Sequence, residues 1–261
     1  MDRKEILERA STPEDRILMA RVLDKIESVK KFHYTAVSEF YDPYQQNLIS
    51  PVLSKVRGIS FVWDGGYPGS ERKRLVIHPY YMTAGESDSE LLVLSISGNL
   101  KFQGLSHRDF LGAVLGLGIK REKVGDIIVN EGGCQVVVDR SIGDYITENL
   151  TKVHRVSVKV EKIAPETIEV PAEKVKEIFA TVPSLRLDAV AAAGFGVSRT
   201  KIAGVIAAEN VKVNWAVTTN LAHGVKEGDI ISIRGRGRTE ITSVRGETKK
   251  GRISIVLKRY L

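Results

Sequence analysis

Toward the end of the chain, cationic side chains and a few hydroxyls recur in a pattern suited to gripping phosphate. Arg186, Arg199, Lys201 and Lys212 lead to the run Arg234-Gly235-Arg236-Gly237-Arg238. A guanidinium presents a planar fork that matches two phosphate oxygens and also stacks on an exposed base, so this set suits folded RNA better than lysines alone would. Ser198 and Thr200 place hydroxyls at a predicted helix start, whose exposed amides can accept a phosphate. Asn214 and Trp215 follow a predicted strand, and Trp215 either stacks on a base or fills the core. Two clusters further upstream, Arg72-Lys73-Arg74 and Lys120-Arg121-x-Lys123, are secondary candidates for RNA contact or simply solvated charge. Other chemistries have little to work with. The histidines at 33, 78, 107, 154 and 223 show no metal-ligand spacing, and the single cysteine, Cys134, sits in an apolar strand as inert core. Neither a metal nor a cofactor is expected.

These residues need elements to hold them. Leu185, Leu187 and Val190 predict a helix that stops at Gly194-Phe195-Gly196, and Ser198 caps a second helix running from Arg199 to about Glu209 with Ile202, Val205 and Ile206 inward. Asn210 is expected in the left-handed turn conformation, with Val211 to Asn214 as a strand after it. Upstream, residues 1 to about 57 read as helical. Thr12-Pro13-Glu14 and Asp42-Pro43 are start signals, Pro51 is a candidate kink, and Ile17, Leu18, Val22, Ile26 and Val29 recur near the helical period. Ile59 to Trp63 and Arg74 to Pro79 read as strands around a Gly-rich loop. Between 89 and 163 the order is βαββαβ, the ferredoxin-like arrangement.

The expected class is therefore α+β. A helical and hairpin segment covers 1–80, a ferredoxin-like domain 81–164, and a linker 165–182 containing a short helix from Glu173 to Phe179. A small basic module covers 183–261. Charge supports that division. Residues 182–261 hold fourteen Lys and Arg against six Asp and Glu, so the whole of the net +7 belongs to them. Such asymmetry points to a polyanion-binding module on a neutral body. No apolar run approaches the roughly 18 residues of a membrane span, and the start Met1-Asp2-Arg3-Lys4-Glu5 carries acids and lacks the apolar stretch of a secretory signal, so the cytoplasm is the expected location.

Arg186-Leu187-Asp188, Ser198-Arg199-Thr200-Lys201, Val211-Lys212-Val213-Asn214, Val225-Lys226 and Gly228-Asp229 resemble, in order and spacing, the αL RNA-binding module named after small-subunit ribosomal protein S-four. Trp215 stands where that family usually has glycine, which argues against the usual tight turn. The stretch from Val211 to Trp215, the Arg234 to Arg238 run, Trp63-Asp64-Gly65-Gly66-Tyr67-Pro68 and Glu71-Arg72-Lys73-Arg74 are similar to the YlmH branch of that superfamily, a likeness spanning about residues 55–245. The resemblance implies a non-catalytic protein bound to rRNA or tRNA on the large ribosomal subunit, with links to translation quality control and cell division. Arg186-Leu187-Asp188 also resembles the catalytic aspartate motif of pseudouridine synthases. Here, however, the triplet opens the αL module and no synthase core precedes it. An RNA-modifying enzyme, a pseudouridine synthase or methyltransferase, is the alternative, together with a protein-interaction scaffold in division.

Overall fold

The computed structural model describes residues 3–8, 10, 12–82, 89–99, 104–172, 174–248 and 251–260. The chain divides into two compact units, Met1–Pro171 and Ala172–Leu261.

In the first unit, helices α1 (Arg3–Glu8), α2 (Pro13–Phe32) and α3 (Pro43–Leu53) pack against a sheet of β1 (Ala36–Tyr41), β2 (Ile59–Asp64) and β3 (Lys73–Pro79), ordered β1-β3-β2. Both helix starts follow their sequence signals. The Thr12 hydroxyl accepts from the Asp15 amide at 3.1 Å, and Asp42 and Gln45 form a reciprocal capping box. Leu18, Met19, Val22, Leu23, Ile26 and Val29 form the buried stripe of α2, whereas Ile17, counted in the predicted face, is 55% exposed. The all-helical reading of 1–57 is corrected by β1. Those six residues are held by pairing with β3, and no local period announces them.

The same unit continues through β4 (Leu91–Gly98), α4 (His107–Gly116), a 3₁₀ turn at Arg121–Lys123, β5 (Val124–Asn130), β6 (Gly133–Asp139), α5 (Arg140–Asn149), β7 (Lys152–Val153) and β8 (Val156–Ile163). The antiparallel sheet runs β5-β6-β4-β8-β7, the expected split-βαβ order with the short β7 added at one edge. Phe110 and Val114 of α4 and Ile146 of α5 close over Leu94, Ile96, Val136 and Val138.

A seam joins the two sheets of this unit. Phe40, Leu91 and Val137 are buried together there, with Tyr67 and Ile168 against them. Asp126 of β5 holds the loop between β2 and β3. Its carboxylate accepts from the Tyr67 hydroxyl at 2.8 Å, the Glu71 amide at 2.7 Å and the Arg72 amide at 3.0 Å. Gly65 has no room for a side chain, since a Cβ there would lie 2.4 Å from Ser70 Oγ and 2.5 Å from the Arg72 carbonyl oxygen.

The second unit is a six-stranded sheet, β11-β10-β12-β13-β14-β9, covered on one face by two helices. Its elements are β9 (Val175–Val182), α6 (Leu187–Phe195), α7 (Arg199–Ala207), β10 (Val211–Val213), β11 (Ala216–Val217), β12 (Ile230–Ile233), β13 (Gly237–Glu247) and β14 (Ile253–Tyr260). The stretch expected as a linker with a short helix is corrected here. Residues 175–182 form β9, paired with β14 from Val182↔Ile253 to Val175↔Tyr260, while Glu173, where the helix was to begin, lies outside the described residues. Helices α6 and α7 meet at a bend of 114°. Their residues Leu187, Val190, Ile202 and Ile206 bury against Val211, Ile231, Ile241 and Leu257. Each such aliphatic side chain contributes about 1.5–3 kcal/mol on burial. Gly196, at φ 64, ends α6, as its sequence position demands. At the end of α7 the left-handed residue is Glu209 (φ 57) and not Asn210. The helix stops two residues earlier than expected. Its last turn closes through Glu209 N–H to Ile206 O and Asn210 N–H to Val205 O, which sets the left-handed position at 209.

Candidate RNA-binding surface

Asp188 organises the helix side of the second unit. It is 7% exposed in the first turn of α6, with the Arg186 guanidinium 3.2 Å from one carboxylate oxygen and that of Arg199 2.5 Å from the other. Burial pushes the Asp188 carboxyl up, but hydrogen bonds and charge from Arg186 and Arg199 outweigh burial and hold it below its ordinary value. Residue 186 precedes α6 and residue 199 opens α7, so the carboxylate fixes two guanidiniums from different elements side by side. Both remain about half exposed, at 43% and 51%. Ser198 caps α7 by accepting from the Lys201 amide at 3.3 Å, which leaves its hydroxyl hydrogen to donate elsewhere. Thr200 and Lys201 are exposed beside it.

Other predicted residues fall on the opposite face of the sheet. Val211 and Val213 point into the core, so Lys212 between them points away from the helices. Lys212 pairs with Ser232, and Ser232 with Arg238, so Lys212 and Arg238 belong to one cross-strand row. The Arg238 guanidinium lies 4.4 Å from the Tyr260 ring centroid. Arg234 and Arg236 occupy the turn joining β12 to β13, with Gly235 at φ 75 and Gly237 at φ 81. The predicted set therefore forms two groups: Arg186, Ser198, Arg199, Thr200 and Lys201 on the helix side, and Lys212 and Arg238 on the sheet face away from the helices, with Arg234 and Arg236 at the turn.

Asn214 and Trp215 have a different arrangement from the expected one. The tight turn persists although Trp215 replaces glycine. Asn214 (φ 49) and Trp215 (φ 66) are both left-handed, and β10 and β11 pair directly across them. Asn214 works inside the protein, donating to Asp229 at 2.9 Å and accepting from the Ile230 amide at 2.9 Å. Asp229 in turn accepts from the Lys226 amide at 2.8 Å. This bracket explains why Asn214, Lys226 and Asp229 occur together in the motif. Trp215 is half-buried but outside the apolar core of its unit. A bulky residue at positive φ is strained.

Of the secondary clusters, four residues are turned toward their own protein. Arg72 donates to the carbonyls of Val124 at 3.1 Å and Phe40 at 3.0 Å. Arg121 donates to those of Val124 and Gly125. Arg74, buried, donates to the Ser38 carbonyl at 2.6 Å and pairs with Asp139 at 3.3 Å, and Lys123 reaches the same Asp139 at 2.6 Å. Burial pushes the Arg72 guanidinium down and takes that of Arg121 to about 10. Lys73 is half-buried and Lys120 exposed. No signal local to these clusters reveals their carbonyl partners, which come from other strands. Cys134 is buried, and burial pushes its thiol up. Among the described residues no group of His, Cys, Asp and Glu is placed to hold a metal ion, and no single helix is long and apolar enough to cross a membrane.

Comparison with known proteins gives this geometry a lineage. The chain is 35% identical over 246 residues to ribosome-associated protein quality control protein P2 of Bacillus subtilis (strain 168), covering 94% of this chain and 95% of that protein. The chain belongs to the YlmH family. Family models match it in three consecutive stretches: the YlmH N-terminal region over residues 14–82, "Putative RNA-binding domain in YlmH" over 85–167, and the S4 domain over 185–231. Among solved structures, "Cell division protein ylmH" from Streptococcus pneumoniae is similar at 29% identity and a TM-score of 0.52, covering 60% of this chain and 96% of that one. For a YlmH-family chain, the loop from Trp63 to Arg74 acquires a physical reading. It is the piece that Asp126 anchors to the ferredoxin-like sheet.

Proposed function

We propose that this protein is a non-catalytic, ribosome-associated RNA-binding protein whose S4 module grips structured ribosomal RNA or tRNA, with the large subunit as the site of docking. The carrying observation is the pair of guanidiniums, Arg186 and Arg199, fixed on one buried carboxylate beside the exposed start of α7. Two like charges repel, and Asp188 keeps them side by side without neutralising both. Ser198, Thr200 and Lys201 extend that grip, while Arg234 and Arg236 contact phosphates at the β12–β13 turn and Lys212 with Arg238 forms a further contact on the sheet face. Trp215 stacks on a base: a strained tryptophan is hard to account for by packing alone. Of the secondary clusters, Lys73 and Lys120 are the residues retained for RNA contact. The name of the Bacillus relative and the RNA-binding family models support the ribosomal setting.

The test is binding of the purified protein to large-subunit ribosomal RNA and to tRNA across a salt series. About five phosphate contacts give a log–log slope of roughly −3.5 to −4.5. Arg199→Glu with Lys201→Glu is expected to abolish binding at physiological salt. Undiminished binding to the ribosome by that double variant would favour a protein-interaction role instead.

A further inference from the structure

Four aromatic rings stand exposed at one end of the three-stranded sheet. Phe32 is 62% exposed, Tyr34 47%, Tyr80 69% and Tyr81 60%, and none belongs to the apolar core beneath. Exposed aromatics this large normally mark a contact surface when they cluster. Their clustering is built by the fold. Helix α2 ends at His33, in the left-handed conformation (φ 55), so the chain reverses into β1. Because Ala36 of β1 pairs with Ile77 of β3, residues 32–34 and 80–81 arrive at the same end of the sheet. The rings form two pairs there, bridged by His33. Phe32 and Tyr34 have centroids 6.5 Å apart, Tyr80 and Tyr81 are 5.5 Å apart edge to face, and Tyr81 Oη lies 3.3 Å from His33 Nδ1.

In the described stretches that bring these rings together, every Lys and Arg is unmatched by an acid of the same stretch. Lys30 and Lys31 are exposed in the last turn of α2, with Lys31 Nζ 5.1 Å from the Phe32 centroid. Arg57 is exposed next to Gly58, whose carbonyl accepts from the Tyr80 amide at 3.4 Å. The contributing stretches 28–35, 54–60 and 79–82 contain no Asp or Glu. Lysines at a helix end also complement the helix dipole, but that accounts for neither Arg57 nor the rings. Cations without acids favour a polyanion, and π faces beside them favour flat, apolar groups carried by it. Both demands are met by one ligand class.

We propose that Phe32, Tyr34, Tyr80 and Tyr81, with Lys30, Lys31 and Arg57, form a second RNA contact that stacks unpaired nucleotides. Its residues belong to the first unit and not to the S4 module, and this contact goes beyond that module's role in gripping structured RNA. Single-strand recognition of this kind combines aromatic platforms with a cationic track along the backbone.

The experiment uses the full-length protein and a short single-stranded oligouridine carrying photoreactive 5-iodouridine, with crosslinked peptides mapped by mass spectrometry and affinity read by fluorescence anisotropy. Crosslinks are expected at residues 32–34 or 80–81, and they should persist in the Arg199→Glu, Arg236→Glu variant, which separates this surface from the module. Tyr80→Ala with Tyr81→Ala is expected to weaken single-strand binding about tenfold, with an unchanged circular dichroism spectrum and unchanged binding to a structured hairpin. Tyr80→Phe with Tyr81→Phe should keep the affinity, since the rings remain. Tyr80→Leu with Tyr81→Leu should lose it. The proposal is overturned by crosslinks confined to residues 172–261, by an unaffected Ala variant, or by full affinity in the Leu variant. The last result would mark an apolar docking surface for protein. Loss of hairpin binding in the Arg199→Glu, Arg236→Glu variant tests the module separately from this outcome.

Discussion

Arg186 and Arg199 would separate in solvent if Asp188 did not hold them. Asp188→Asn makes the module more positive by one charge, yet we expect it to bind structured RNA about tenfold more weakly, because the fork is lost; gel-shift titration checks this. The fold also loses an ionic contact. Charge-assisted hydrogen bonds reach 1.5–3 kcal/mol, but both arginines are half exposed and screened, so the cost is about 1 kcal/mol. The pH dependence has a definite sign. The folded-state carboxyl is held below its ordinary value, so its stabilisation is complete above the unfolded group's titration near pH 4 and is lost as pH falls through the folded value. Acid unfolding followed by circular dichroism should therefore show less destabilisation below about pH 4 in Asp188→Asn than in the parent. Trp215 offers an opposite pair of signs. Trp215→Gly relieves a positive φ and is expected to leave thermal stability equal or higher by up to about 1 kcal/mol, while RNA affinity falls. A loss of both together would mean that Trp215 serves packing.

Among the elements, the β2–β3 loop depends on a glycine with no space around it. Gly65→Ala must displace the Arg72 carbonyl, a backbone atom, and is expected to lower the stability of the first unit by about 1–3 kcal/mol, read by denaturant titration. The sequence made such loops visible as turns, but not what they dock against. Helix starts were legible because their signals are local: Thr12, Asp42 and Ser198 each sit where a helix opens. The split-βαβ order was legible too, since alternation and capping marked each piece in turn. Strand β1 was not, lying between two strong helix signals with its partner about forty residues away. Strand β9 was read as helix because Val175, Ile178 and Phe179 fit a helical spacing as well as a strand. For the site, residue types were readable and directions were not. By residue type Asn214 is a binding group, yet it brackets Asp229, and Arg72 and Arg121 suggest a basic surface, yet they reach inward to carbonyls.

For the molecule as a whole, that inward turn separates stability from RNA affinity. Arg72→Gln is expected to lower the melting temperature of the first unit while leaving the salt slope of RNA binding unchanged, whereas Lys201→Gln should flatten the slope by about 0.7–0.9 and leave melting alone. Calorimetry and a salt series read the two effects. The pairing of β9 with β14 has a kinetic consequence. Its partners are about seventy to eighty-five residues apart along the chain, so a large loop must close before eight residues of β-ladder can form. Until then β9, which ends the sheet and pairs only with β14, is unpaired along both sides and offers itself to neighbouring chains with Phe179 and Val175 exposed on it. Refolding of the second unit should accordingly be slow, and its yield should fall as protein concentration rises, through strand exchange between molecules.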